Sequence, residues 1–142
     1  AALILISKYV PMLNSEEFIL RKQDESKRTV WPQRNPDDGH IDCSMEVEYI
    51  DRFIRAQTKP YPGAFIKIGD AKLKIWKAER YKKSMGVEKN WLYCEGEEII
   101  LGCLNGGISL KEISVENGSL VSEKDQIWIN DIKIDRKGYK LV

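Results

Sequence analysis

The chain has 142 residues, a length typical of one globular domain with its own hydrophobic core. Its 23 Lys and Arg residues are balanced by 22 Asp and Glu residues, so no net field of the whole chain favours a nucleic-acid partner. No apolar run approaches the ~18 residues that a membrane-spanning helix needs and no segment resembles a cleavable signal, so we expect no membrane partner.

The N-terminal segment predicts a helix over residues 2–13, although Pro11 should kink or end it. Its apolar face is formed by Leu3, Ile6, Val10 and Leu13. Residues 3–6 are apolar nearly all round, a pattern typical of a helix that is buried on more than one side. Little else in so short a chain could cover them, so we interpret residues 1–20 as the last helix of a domain that this chain does not contain.

Residues 21–43 predict an exposed linker that ends in a hinge loop, and the polar stretch 14–31 is compatible with one or two short strands. The loop holds the only histidine, His40, close to three aspartates, a group that could carry acid–base or metal chemistry. The aspartates do not follow calcium-loop spacing, and no second His or Cys lies at ligand spacing. Since Asp38-Gly39 is a strong turn signal, we interpret the loop as a turn and expect no metal site.

A second helix is predicted to begin at Ser44, as its N-cap, and to continue to about Gln57. Its apolar stripe consists of Val47, Ile50 and Ile54, with Phe53 on a flanking row. Arg52 and Arg55 lie on neighbouring positions of one face, where they could hold a phosphate or a carboxylate. The alternative for both arginines is a solvated face opposite the apolar stripe.

From residue 64 the hydrophobic period changes to two. Residues 64–76 alternate around Gly69-Asp70, which predicts a β-hairpin. Further short strands are predicted at 91–94, 98–103, 108–115, 126–129 and 131–134. Strands at this spacing predict a mainly β fold with helices, built on a small antiparallel barrel or sandwich.

Basic residues are concentrated between residues 66 and 90, a segment that contains eight Lys or Arg residues but only three Asp or Glu residues. With Trp76 and Tyr81 among them, they could form a nucleic-acid face on a barrel. The residues concerned are Lys67, Lys72, Lys74, Lys77, Arg80, Lys82 and Lys83. The alternation that places Lys72 and Lys74 opposite the apolar side is also what any half-buried strand shows, so both interpretations stay open.

Three cysteines, Cys43, Cys94 and Cys103, are odd in number and form no C-x-x-C motif. This arrangement predicts neither a disulfide framework nor a zinc site. A reducing compartment agrees with it, so we expect a cytoplasmic protein.

Four segments follow one another between residues 33 and 79: QRNPDDGHID, IDRFIRA, KPYPGAF and KLKIWKAE. Together they resemble the 10-formyltetrahydrofolate-dependent formyltransferases. In that family a P-[DE]-D-G-x-I-D-W loop precedes a helix ending in I-R-A, then P-x-P-G-A-F and a strand. The matching positions here are 36–42, 54–56 and 60–65. Cys43 stands where the family usually has tryptophan, so a large packing group is missing from that corner.

The resemblance implies that residues 44–142 form the family's C-terminal domain, an OB-like small antiparallel β-barrel preceded by a helix. It also implies that the N-terminal helix is left over from a Rossmann-like catalytic domain. The family's catalytic Asn and His lie in an N-x-H-x-S-x-L-P segment of that domain, and its Asp in a D-x-G context. Neither motif holds His40, so the resemblance assigns no catalytic residue to this chain. It places 10-formyltetrahydrofolate on the missing catalytic domain.

By resemblance, this is part of a biosynthetic transferase that formylates the amine of a nucleotide-linked amino sugar. The segment WPQR and the near-neutral charge favour a nucleotide-sugar substrate, and the partner would be the protein's own N-terminal catalytic domain. We expect the isolated chain to lack formyl transfer. Residues expected at the substrate wall or the domain hinge are Arg34, Asp37, Asp38, Gly39, Asp42, Arg55, Tyr61 and Gly63.

Two alternatives remain open. In a methionyl-tRNA formyltransferase, the same barrel would grip tRNA through the basic residues between 67 and 83, and binding would fall steeply with salt. A freestanding OB-like interaction module is the second alternative, which the apolar residues 3–6 disfavour because such a patch normally seeks a partner. A homodimer is compatible with the first hypothesis.

Overall fold

The computed structural model describes residues 2–13, 15, 21–82 and 86–141. The chain divides into two compact units, Ala1–Gln33 and Arg34–Val142. In the first unit, helix α1 (Ala2–Leu13) has the predicted bounds, and Pro11 lies inside it without ending it. All the described residues of α1 are exposed.

The rest of the first unit contains a 3₁₀ turn at Glu25–Lys27, capped by the Asp24 side chain. No strand lies within residues 21–33, although one or two had been predicted for the stretch 14–31, of which residues 14 and 16–20 lie outside the described residues. None of the helices in the described part of the chain combines the length and the apolar character that crossing a bilayer demands.

The second unit begins with a 3₁₀ turn at Pro36–Gly39 and helix α2 (Val47–Gln57). The predicted N-cap at Ser44 is wrong, because the helix begins at Val47 and the Glu46 side chain at its N-cap makes no capping hydrogen bond. The cap comes instead from the turn after residue 103. Asn105 Oδ1 accepts a hydrogen bond from the Val47 N–H at 2.8 Å, and Asn105 Nδ2 donates to Glu48 Oε2 at 3.1 Å.

Asn105→Ala is therefore expected to lower the free energy of unfolding by ~1 kcal/mol, the usual cost of losing an N-cap. Urea denaturation followed by circular dichroism measures the change. Ser44→Ala is the matched control, with an expected effect within about 0.5 kcal/mol because the residue is exposed. A larger loss for Ser44→Ala than for Asn105→Ala would contradict the assignment of the cap.

The strands of the second unit form two antiparallel sheets. The first has six strands in the order β1-β2-β5-β4-β3-β9. Its members are β1 (Ala64–Ile68), β2 (Ala71–Arg80), β3 (Trp91–Glu95), β4 (Glu98–Cys103), β5 (Gly106–Glu116) and β9 (Tyr139–Lys140). The second sheet has the order β6-β7-β8, formed by β6 (Leu120–Glu123), β7 (Gln126–Ile129) and β8 (Ile132–Ile134). The strands predicted from residue 64 onwards are confirmed, whereas β6 and β9 had not been predicted.

The six-stranded sheet curls into a half-barrel, and α2 packs against β1, β2 and β5. The predicted stripe of α2 is confirmed, since Val47, Ile50 and Ile54 are buried in one core with the inward residues of β2. Burial of a side chain of this size stabilises the fold by roughly 1.5–3 kcal/mol. The mainly β, OB-like fold predicted for this part of the chain is thereby confirmed.

Candidate functional site

The hinge loop, residues 34–43, is a compact turn held by its own side chains. Asn35 Oδ1 accepts a hydrogen bond from the Asp37 N–H at 2.9 Å, and Asp38 Oδ2 accepts one from the Asn35 N–H at 2.8 Å. These reciprocal bonds make a capping box around the 3₁₀ turn. The interpretation of the loop as a turn is confirmed, and Asp38 has a structural partner inside it.

The hinge loop is fastened to β1 by backbone contacts. The Ile41 N–H donates to the Phe65 carbonyl at 2.9 Å, and His40 forms a parallel bridge with Phe65. The His40 ring meets the Phe65 ring edge-on, with 5.4 Å between centroids. A Cβ atom at Gly39 would lie 2.6 Å from the Gly63 carbonyl oxygen, so glycine is required for this approach. Two predicted site residues, Gly39 and Gly63, are thus brought into contact.

Asp37 connects the hinge loop to the outer face of β2. Its Oδ1 atom lies 3.0 Å from Lys72 Nζ, which also stands 4.6 Å from the centroid of the Phe65 ring. The hydrogen bond and charge of Lys72, with a smaller contribution from the charge of Lys67, hold the pKa of Asp37 below its usual value. The carboxylate is therefore ionised at neutral pH and forms an ion pair with Lys72, near the start of β2.

Asp42 lies at the end of the hinge loop, beside a groove. Its Oδ1 atom accepts a hydrogen bond from the Ser44 N–H at 2.8 Å. The side-chain and backbone hydrogen bonds of Ser44, followed by the charges of His40 and Lys89, lower the pKa of Asp42. Asp42 therefore places a fixed negative charge at the groove.

This groove, which we call the seam groove, has a volume of about 420 Å³ and lies along the outer edge of β1. Across from β1, the Leu141 N–H donates to the Asn90 carbonyl at 2.7 Å, and the Asn90 N–H donates to the Gly102 carbonyl at 3.0 Å. These bonds fix the opposite wall. The groove is lined by His40, Ile41, Asp42, Cys43, Ile66, Lys67, Asn90 and Leu141.

Of the eight residues predicted for the substrate wall or the domain hinge, only Asp42 is among the described residues that line the seam groove. Arg55 is paired with Asp51 on α2, with 3.0 Å from Nε and 2.9 Å from Nη2 to the same carboxylate oxygen. Tyr61 is 61% exposed, and Arg34 is exposed. Neither Arg34 nor Tyr61 makes a side-chain hydrogen bond within the described ranges. The structure gives Arg55 the solvated helix face that was the alternative interpretation.

The KPYPGAF corner that follows α2 is built on Trp76. Gly63 has φ +92°, and a Cβ atom there would lie 2.8 Å from the Trp76 ring. Thr58 Oγ1 donates to the Trp76 carbonyl at 3.0 Å, and Trp76 Nε1 donates to Ser114 Oγ at 2.9 Å. Lys59, which precedes a cis peptide bond to Pro60, places its Nζ 5.0 Å from the centroid of the tryptophan ring. These contacts make the corner rigid.

Most of the predicted basic face is paired with carboxylates of the same domain. Lys72 pairs with Asp37, Lys74 with Glu116, Lys77 with Glu79 at 3.9 Å, and Arg80 with Glu48 at 2.8 Å. Lys83 lies outside the described residues. Of the members that the structure describes, only Lys67 and Lys82 have no carboxylate within 4.0 Å. Much of the positive charge of this face is therefore offset locally.

All three cysteines are free and buried. Burial, with a further contribution from the charge of Asp42, raises the pKa of Cys43 to about 11, and burial raises the pKa of Cys103 to about 12. Such thiols stay protonated at neutral pH and are poor nucleophiles. Cys43 belongs to the hydrophobic core at the position where a tryptophan would be typical of the motif.

Of the described groove residues, the sequence interpretation gave a binding role only to Asp42 and, in the tRNA alternative, to Lys67. Ile66, Asn90 and Leu141 are among those it missed. Asn90 adopts the left-handed conformation, with φ +63°, and an Asn before a predicted strand is a turn signal that could have identified it. Ile66 and Leu141 look like ordinary strand residues, and no local pattern relates them to the hinge loop.

A comparison with models of protein families matches a large part of this chain. Residues 34–130 match the family described as formyl transferase, C-terminal domain. The matched region, well over half of the chain, starts at the hinge loop, includes α2 and β1, and ends directly after β7. The positions that correspond to the family's motifs, 36–42, 54–56 and 60–65, lie inside it.

Proposed function

Since this chain belongs to the family of formyl transferase C-terminal domains, we propose that it serves an enzyme that formylates the amine of a nucleotide-linked amino sugar. The formyl donor would be 10-formyltetrahydrofolate, bound by a catalytic domain that also supplies the groups handling protons. The domain described here would form one wall of the acceptor cleft with its hinge loop and seam groove.

The observation that carries the choice of a sugar acceptor is the pairing of the basic face. A tRNA-binding surface gains affinity when lysines meet phosphates and release counterions. Here Lys72, Lys74 and Arg80 already face carboxylates, so a phosphate would have to displace Asp37, Glu116 or Glu48. With a net charge of +1, the chain offers little compensating attraction. Both facts support a small acceptor rather than tRNA.

Helix α1 fits the proposed partnership with a catalytic domain. Its large apolar side chains are exposed, with Leu3 at 78% and Ile4 at 72%. We propose that this helix belongs to the catalytic domain and packs within it, as apolar surface of this kind normally becomes buried. The three free cysteines support a reducing compartment, so the enzyme would work in the cytoplasm.

Two measurements test the proposal. The parent enzyme, given 10-formyltetrahydrofolate, is expected to formylate an amino-sugar nucleotide and to leave methionyl-tRNA unmodified, whereas the present chain alone is expected to be inactive. Filter binding of tRNA to the chain at about 50 mM and about 200 mM salt is expected to show no salt-dependent affinity. Formylation of methionyl-tRNA, or tRNA affinity that falls steeply with salt, would support the tRNA-directed alternative. Formyl transfer by the chain alone would contradict the proposal that the catalytic groups lie on another domain.

A further inference from the structure

Two lysines at or near the seam groove, unlike most residues of the basic face, form no ion pair with the described residues. Lys67 lines the groove, and Lys89 is close enough for its charge to act on Asp42. Neither lysine has a carboxylate within 4.0 Å in the part of the chain that the structure describes. Their charges are available to a ligand, unlike that of Lys72, which is held at 3.0 Å by Asp37.

The backbone of β1 adds a donor on the same side. β1 is the outermost strand of its sheet, and the Phe65 carbonyl points away from β2 because it accepts the hydrogen bond of the Ile41 N–H. Residues at alternate positions of an edge strand direct their N–H and C=O groups to the same side. The N–H of Lys67, two residues after Phe65, therefore faces the seam groove. One residue thus supplies an ammonium group and a backbone donor to the groove.

The remaining lining supplies polar donors and an apolar floor. His40 and Asn90 carry side-chain groups able to donate hydrogen bonds, and Ile41, Ile66 and Leu141 contribute apolar surface. A volume of about 420 Å³ falls within the range of small-molecule sites. This combination suits a ligand with both a phosphate group and a ring.

We propose that the seam groove binds the nucleoside diphosphate portion of the acceptor substrate, with the phosphates at Lys67 and the base or ribose over the apolar floor. The inference rests on the proposed function, because it identifies the part of the nucleotide-linked sugar that this domain holds. The amino sugar itself would extend towards the catalytic domain.

Because Asp42 is negatively charged and Lys67 positively charged, the proposal predicts opposite effects on diphosphate affinity when each is neutralised. Among the described residues that line the groove, Asp42 is the only acidic one, and it opposes a phosphate by like charge. Asp42→Asn is expected to strengthen binding of a nucleoside diphosphate by a few fold, whereas Lys67→Met is expected to weaken it about tenfold, the typical loss of one charged hydrogen bond. If the groove does not hold phosphate, diphosphate affinity should neither rise in Asp42→Asn nor fall in Lys67→Met.

Binding of uridine diphosphate and thymidine diphosphate to the chain is measured by calorimetry, with inorganic pyrophosphate and uridine as separate arms. In the parent enzyme, Lys67→Met is expected to raise KM for the amino-sugar nucleotide about tenfold without lowering kcat. Lys124→Met is the matched control, since this exposed lysine lies in the turn between β6 and β7 and lines no part of the seam groove.

The outcomes separate the two proposals. If the parent enzyme formylates the amino-sugar nucleotide but Lys67→Met changes neither diphosphate affinity nor KM, the seam groove assignment is overturned and the proposed function stands. Equal effects of Lys67→Met and Lys124→Met also overturn it, because the attraction would then be unspecific. If the enzyme formylates methionyl-tRNA alone, the proposed function fails, whatever the calorimetry shows. Loss in Lys67→Met together with gain in Asp42→Asn supports the assignment.

Discussion

Replacing Gly63 by alanine is expected to lower the free energy of unfolding by about 3 kcal/mol, from two separate costs. The backbone has φ +92° here, a conformation that only glycine adopts without strain. The new Cβ would also lie 2.8 Å from the Trp76 ring, which is held in place by its hydrogen bond to Ser114. Because the ring cannot move without breaking that bond, strain and displacement should add.

Urea denaturation followed by tryptophan fluorescence measures this loss, with Gly96→Ala as the matched control. Gly96 also has a positive φ, at +65°, but its Cβ would meet nothing within 4 Å, so only the conformational cost of roughly 1 kcal/mol applies. Equal losses in the two variants would show that Trp76 does not restrict the corner. Gly39→Ala is expected to resemble Gly63→Ala, since its Cβ would lie 2.6 Å from the Gly63 carbonyl.

Elements with local signals could be predicted from the sequence. The stripe of Val47, Ile50 and Ile54 repeats at helical spacing within eight residues, and the structure buries all three. The hairpin around Gly69-Asp70 is likewise specified by alternation and a turn pair, and β1 and β2 meet there in the expected register. The hinge loop was predicted as a turn because Asn, Pro, Asp and Gly each favour one.

Features that depend on distant residues could not be predicted in this way. The cap of α2 is Asn105, which lies 58 residues after the Val47 N–H that it accepts from, so the local candidate Ser44 was preferred wrongly. The two-residue strand β9 exists only because Tyr139 and Lys140 pair with β3. Such pairings leave no periodic pattern in so short a segment.

The basic face shows that the availability of a lysine for binding depends on carboxylates that come from other parts of the fold. Spacing alone places Lys72 and Lys74 on the outer side of β2, which the structure confirms, since Leu73 and Ile75 are buried and the lysines are not. Whether those charges are available depends on Asp37 and Glu116, which come from the hinge loop and from the end of β5. Lys67, two positions beyond Phe65 on the edge strand, has no such carboxylate partner among the described residues and also lines the seam groove.

Ile54→Ala is expected to lower the free energy of unfolding by about 3 kcal/mol, within the usual range for truncating a buried isoleucine. The Ile54 side chain is 0% exposed and belongs to the core that joins α2 to the sheet. Removing three carbon atoms leaves a cavity that the close-packed strands cannot fill by collapse. Equilibrium unfolding in urea measures the loss, and an unchanged m-value would show that the variant still unfolds as one unit.

Two controls separate cavity formation from a general sensitivity to substitution. Ile54→Val removes one methylene and is expected to cost about 1 kcal/mol. Val121→Ala, on the exposed strand β6, is expected to change stability by less than about 0.5 kcal/mol because Val121 is 53% exposed. If Ile54→Ala cost no more than Val121→Ala, α2 would not be anchored through Ile54. The hinge loop and the seam groove would then lack the fixed support from which their ligand geometry was inferred.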